Sequence, residues 1–123
     1  MKNPNDSVVL IIGLAHNVGS KIENEIVNLQ SAFLSFLDVR FLIVESDSND
    51  DTVKVLEKIH RMNSKVEFRS LGHLRAEIPN RIDRISFCRA RAQDIARELD
   101  GGFDYVAVAD LDGVNSQIKS EAV

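Results

Sequence analysis

Apolar residues along this chain alternate between short unbroken runs and longer stretches in which they recur every three or four positions. Val8-Val9-Leu10-Ile11-Ile12-Gly13-Leu14 is a continuous, largely β-branched run, the pattern of a strand buried on both faces of a parallel sheet. Ile22, Ile26, Leu29, Phe33 and Phe36 then step at helical intervals, and Ser20 with Glu23 has capping-box spacing, which predicts a helix of about four turns. Arg40-Phe41-Leu42-Ile43-Val44 predicts a second strand. It runs into the polar cluster Glu45-Ser46-Asp47-Ser48-Asn49-Asp50-Asp51-Thr52, a loop with Asn49 or Asp50 as candidate cap for the helix that follows. Val53, Leu56, Ile59 and Met62 place that helix at Thr52 to Met62. Val66-Glu67-Phe68-Arg69 alternates apolar and polar, as a strand nearer a sheet edge does, and the strand is expected to reach Leu71. Gly72 to Asn80 reads as loop. From Ile82 onward Ile85, Cys88, Ala92, Ile95 and Leu99 mark a third helix closed by Gly101-Gly102, and a last strand at Tyr105 to Ala109 ends in Asp110-Leu111-Asp112.

Strands alternating with helices predict an α/β fold, a Rossmann-like three-layer α/β/α sandwich with a mostly parallel sheet, right-handed crossovers and helices on both faces. With 123 residues, 44% of them hydrophobic, the chain is long enough for one core. The expected domain spans 8–114, after a flexible polar N-terminus at 1–7 and before a short polar tail at 115–123. Fifteen Lys and Arg against 19 Asp and Glu give a formal net charge of -4, so no global basic field marks nucleic acid as a partner. The single cysteine, Cys88, excludes an intramolecular disulfide and a cysteine-based zinc site, and its place in an apolar helical pattern reads as core. The first apolar run is broken by Gly13, His16 and Asn17, too early for a membrane span, and no signal-peptide layout precedes it. A cytoplasmic chain without a membrane segment is expected.

Ligands of parallel α/β sheets bind beyond the C-terminal strand ends. Three polar clusters fall there: Ala15-His16-Asn17, Glu45 to Asp51, and Asp110 with Asp112. Neither GxGxxG nor GxxxxGK[S/T] occurs, so a dinucleotide fingerprint and a P-loop are both absent. Asp110 and Asp112, two residues apart, point the same way if the strand continues, and they repel unless a cation or a set of donors lies between them. Hard divalent cations bound with phosphates favour such oxygen ligands, which suggests a metal–diphosphate site; a solvated turn before Gly113 explains the same residues. Arg81, Arg84, Arg89, Arg91 and Arg97 are either in part a diphosphate clamp or a solvated helix face. His16 has no second His or Cys at metal-ligand spacing, and His60 and His73 have no partner pattern. Asp50 and Asp51 read as helix-start residues whose charge complements the helix dipole.

The order of elements, the segment Val44-Glu45-Ser46-Asp47-Ser48-Asn49-Asp50-Asp51-Thr52 and the terminal Val108-Ala109-Asp110-Leu111-Asp112 resemble the nucleotide-sugar-binding half of a GT-A glycosyltransferase. Family-2-type members end the second strand in a DDGSxDGT-like loop; here Glu45 and Ser46 replace the paired aspartates, while Ser48, Asp50 and Thr52 match. The form ES-x-S-x-D-x-T, with Arg81-Ile82 followed by Arg89 and Ala92, is closer to the fungal capsule mannosyltransferases, although Ala90 stands where those proteins carry Asn. The resemblance covers about Val8 to Val114.

The resemblance implies a nucleoside diphosphate sugar donor, an unidentified glycan or other acceptor, and Mn²⁺ or Mg²⁺ as cofactor. It places Glu45 against the nucleobase or nearby sugar, with Asp47 the poorer choice, Asp110 on the ribose, and Asp112 on the metal with Asp110 beside it. Ala15, Asn17, Glu45, Asp47, Arg81, Arg89 and Asp110 form the expected nucleotide-binding set. Such a metal assists departure of the nucleoside diphosphate as charge builds on it. Only eleven residues follow Asp112, so the expected state is a donor-binding half truncated after the Asp-x-Asp, without an acceptor pocket or catalytic base. A non-catalytic nucleotide- or metal-binding Rossmann-like module is the alternative. A receiver-like signalling domain is weaker, because its acidic pocket belongs where this chain has Ala15-His16-Asn17.

Overall fold

In the computed structural model of this protein, which describes residues 3–99 and 102–111, the chain alternates β and α along its length. A 3-10 turn at Pro4–Asp6 leads into β1 (Val8–Ala15), then α1 (Ile22–Ala32), β2 (Asp38–Glu45), α2 (Thr52–Met62), β3 (Val66–Ser70), α3 (Arg81–Glu98) and β4 (Tyr105–Asp110). All four strands are parallel in the order β3-β2-β1-β4, the expected Rossmann-like α/β arrangement. The central pair runs from Val8 opposite Asp38 to Ala15 opposite Glu45, so the loops after β1 and β2 leave the sheet side by side.

Alternation along the central strands separates two cores. Val9, Ile11, Phe41 and Ile43 face α1 and α2, where they meet Ile22, Ile26, Leu29 and Leu56. Leu10, Ile12, Leu42 and Val44 face α3, where they meet Cys88, Ala92 and Ile95. These are the three layers, and Cys88 is core as its position predicts. On the α3 side of β4, the valines paired with Leu10 and Ile12 stay open to solvent, Val106 at 58% and Val108 at 66% exposure. Gly13 in β1 permits a close approach: a Cβ there would lie 2.5 Å from Leu111, which is buried just beyond β4.

The elements match their predicted positions with local differences. Helix α1 stops at Ala32, a turn short of the expected end, and the chain passes through turns closed by Leu34 N–H to Ser31 O (3.3 Å) and Phe36 N–H to Phe33 O (3.0 Å). Phe36 still packs, 5.5 Å from Phe33 and 5.7 Å from Tyr105 between ring centroids. A spacing of three satisfies a turn as well as a helix, which is why periodicity overran the end. The Ser20–Glu23 capping box is out of register: the N-cap is Lys21, and no side chain caps it. Helix α3 begins at Arg81 because Asn80 Oδ1 accepts the amides of Ile82 (2.9 Å) and Asp83 (3.2 Å). Among the described residues no helix is long and apolar enough to cross a membrane.

Leu42 is fully buried between the layers, whereas Leu34 is 75% exposed. Leu42→Ala is expected to cost about 2–5 kcal/mol in urea unfolding and Leu34→Ala less than about 0.5 kcal/mol. Equal losses would contradict the two-core assignment.

Candidate functional site

The sheet's C-terminal edge leaves backbone amides of two adjacent loops in need of acceptors, and the polar cluster at 45–52 supplies them. Thr52 Oγ1 accepts Val18 N–H at 2.9 Å and itself donates to Asp50 Oδ1. The same Asp50 oxygen accepts Thr52 N–H at 3.0 Å, and Asp50 Oδ2 accepts Gly19 N–H at 3.3 Å. Ser48 Oγ accepts Asn17 N–H at 3.0 Å, and Asn17 Oδ1 accepts Asn49 N–H at 2.8 Å. Asn17 holds a positive φ of 51°, which Asn tolerates better than most residues. His16 Nδ1 lies 3.0 Å from Ser46 O. Asp50 thus organises the start of α2, as its position suggested, although the formal N-cap is Asp51.

Glu45, at the last position of β2, is buried, with Oε2 accepting Ser48 N–H at 2.9 Å and Oε1 accepting the Ser70 hydroxyl. Asp47, two residues on, reaches a third segment. Its Oδ1 accepts the amides of Leu74 (2.8 Å) and Arg75 (3.0 Å), and its own N–H donates to Gly72 O at 2.8 Å. Asp47 Oδ2 is buried without a hydrogen-bond partner. Burial pushes the Asp47 carboxyl up, but the Arg75 and Leu74 amides, the Ser46 hydroxyl and the Arg84 charge together hold it below its ordinary value. The Thr52 hydroxyl, aided against burial by the Thr52 and Gly19 amides, does the same for Asp50.

Above this lacing lies a cavity of about 300 Å³, bounded by the ends of β1 and β2, the loop before α3 and the first two turns of α3. Leu14, Ala15, Val44, Cys88 and Leu111 make its apolar lining, while Arg75, Arg81, Arg84 and Arg89 bring four guanidinium groups and Asp47 the one carboxylate among the described residues. Arg84 is committed to the protein, donating through Nη1 to Ile78 O (3.0 Å) and Pro79 O (2.6 Å). The guanidinium groups of Arg75, Arg81 and Arg89 have no hydrogen-bond or ion-pair partner among the described residues. Unpaired guanidinium groups converging on one cavity suit an anion with several oxygens.

Of the residues expected at the site, Ala15, Asp47, Arg81 and Arg89 line this cavity. Asn17 and Glu45 belong to the lacing beside it and are not among the lining residues. Asp110 ends β4 opposite Leu14, with its side chain outside what the structure describes, and Asp112 lies outside the described residues. Arg75 is new. It sits in an irregular loop, where no periodicity marks it, and its backbone amide is one of the two that Asp47 Oδ1 accepts. No protein-family model matches the chain, and no curated protein matches it.

Two outcomes test the lacing. Thr52 is fully buried, so Thr52→Val strands the Val18 N–H and is expected to cost about 1–3 kcal/mol of unfolding free energy. Wild-type stability at a Thr52→Val site would remove that bond from the account. Asp47 and Asp50 titrate below the ordinary value of 3.8, so in falling pH the unfolded chain takes up protons first. Their contribution is complete above 3.8 and disappears as the pH drops through the folded values. Urea unfolding across that acid range is expected to show a shallower loss in Asp50→Asn than in wild type; identical slopes would contradict the assignment.

Proposed function

We propose that the cavity binds the diphosphate of a nucleoside diphosphate sugar, and that this chain is the donor-binding part of a GT-A glycosyltransferase acting on a glycan or other acceptor. The observation that carries the reading is the convergence of Arg75, Arg81 and Arg89, without a partner among the described residues, on the carboxyl ends of β1 and β2. A nucleotide diphosphate answers both halves of that lining, because its phosphates take guanidinium donors while its nucleoside is suited to apolar wall. The start of α3 offers the phosphates little. Two of its first-turn amides, those of Ile82 and Asp83, are already taken by Asn80, so charge recognition falls mainly to the side chains.

The resemblance assigns contact with the nucleoside to Glu45, whose two oxygens are each engaged inside the protein, whereas Asp47 faces the cavity. Asp47 is therefore the better placed of the two acids. The Mn²⁺ or Mg²⁺ part of the proposal rests on the spacing of Asp110 and Asp112, since no three His, Cys, Asp or Glu side chains converge among the described residues. When bound, such an ion would supply neutralising charge to the diphosphate. One observation favours a non-catalytic binding module as the second reading: Asp47, the one described carboxylate in the cavity, is held ionised by loop amides and is a poor general base.

Titration calorimetry of UDP and GDP with wild type and Asp112→Asn, with and without Mn²⁺, tests the proposal. Binding is expected to strengthen with Mn²⁺, and Asp112→Asn to lose most of that gain, about tenfold to hundredfold in affinity. Nucleotide binding that ignores both metal and substitution would leave Asp110-x-Asp112 as a turn.

A further inference from the structure

We propose that Arg75 is a phosphate-binding residue of this cavity and that Asp47 is the positioning residue that delivers it. The inference deepens the nucleotide-binding reading and rests on it for the identity of the anion, a phosphoanhydride. Arg75 lies in the irregular stretch between β3 and α3, where chain direction alone does not aim a side chain. Two residues fix that stretch. Asp47 holds its first half through Gly72 O, Leu74 N–H and Arg75 N–H, and Arg84 holds its second half through the carbonyls of Ile78 and Pro79. The amide of Arg75 is itself one of the two that Asp47 Oδ1 accepts, at 3.0 Å, so the carboxylate fixes the backbone from which this guanidinium springs. Arg75 is exposed and its guanidinium has no partner among the described residues, so none of them already uses its charge.

Two effects of Asp47 on an anion oppose each other. As a carboxylate in the same cavity it repels phosphate, so electrostatics alone makes its removal strengthen binding. As the anchor of the 72–75 segment it presents a cation to phosphate, so its removal weakens binding. Asp47→Asn and Asp47→Ala separate the two, because Asn keeps an acceptor for the Leu74 and Arg75 amides and Ala keeps none.

Inorganic diphosphate and UDP are titrated against the full chain at one fixed ionic strength, with wild type, Arg75→Gln, Asp47→Asn, Asp47→Ala and the Asp47→Ala/Arg75→Gln double variant. Arg75→Gln is expected to weaken diphosphate about tenfold, the loss of one charged hydrogen-bond donor. Asp47→Ala is expected to weaken it by a comparable factor although a negative charge is gone, and the double variant to be within about twofold of either single one. Asp47→Asn is expected to bind diphosphate at least as tightly as wild type. Unchanged affinity in Arg75→Gln overturns the binding role. Tighter binding by Asp47→Ala, or losses that multiply in the double variant, overturn the positioning role. Because Arg75 is exposed, Arg75→Gln decides its own part even where Asp47→Ala unfolds in a thermal melt. Wild type that binds diphosphate, but UDP no more tightly, refutes the nucleotide reading while these variants still judge Arg75. Wild type that binds neither probe refutes both.

Discussion

Backbone amides stranded where β1 and β2 leave the sheet must find acceptors, and most of the site's architecture follows from how this chain supplies them. Parallel strands in register end together, so their loops emerge as neighbours with donors facing one another across a gap that no ladder spans. Ser48, Asp50 and Thr52 each bridge that gap to the loop after β1, and Glu45 and Asp47 reach outward to the end of β3 and the stretch beyond it. The polar cluster is a set of crosslinks. It ties three separate chain segments into one floor, beside which α3 carries its arginines.

This division of labour changes how the cluster is to be understood. A row of acidic and hydroxyl side chains after a strand invites assignment to ligand contact, yet Glu45, Ser48, Asp50 and Thr52 spend their oxygens on the protein's own amides and hydroxyls. The guanidinium groups that line the cavity come instead from residues distant in sequence, those of the first half of α3 and of the loop before it. Asp47 joins the two sets, holding amides with one oxygen while its side chain borders the cavity.

The fold was legible because each element announces itself locally: Val8 to Leu14 cannot be solvated on either face, and the stripe through Cys88, Ala92 and Ile95 has a single buried side. The end of α1 was not, since Phe36 keeps a core contact from a turn and so mimics another helical step. Ser20 with Glu23 has the right spacing for a cap but starts one residue too early, a register that only tertiary contacts decide. Arg81 and Arg89 were singled out through the family resemblance, on a helix whose apolar pattern reads from Ile82 onward, and both line the cavity. Arg75 could not be, because the loop that carries it is held through its backbone by Asp47, twenty-eight positions away, and a contact of that kind leaves no trace in periodicity.

The arginine-lined cavity sits on a chain whose formal net charge is -4, and that inversion of sign would shape how an anion of the proposed kind arrives. At distances beyond about 10 Å at 0.1 M salt the field is screened, while in dilute buffer an approaching phosphate meets the repulsion of the whole surface before the attraction of four guanidinium groups. Added salt therefore acts in opposite directions on the two phases of association. It lowers the far barrier and speeds encounter, and it loosens the ion pairs of the bound state and speeds escape. A polyanion's affinity for such a site reports the balance of the two, and the separate rate constants carry the sign of each.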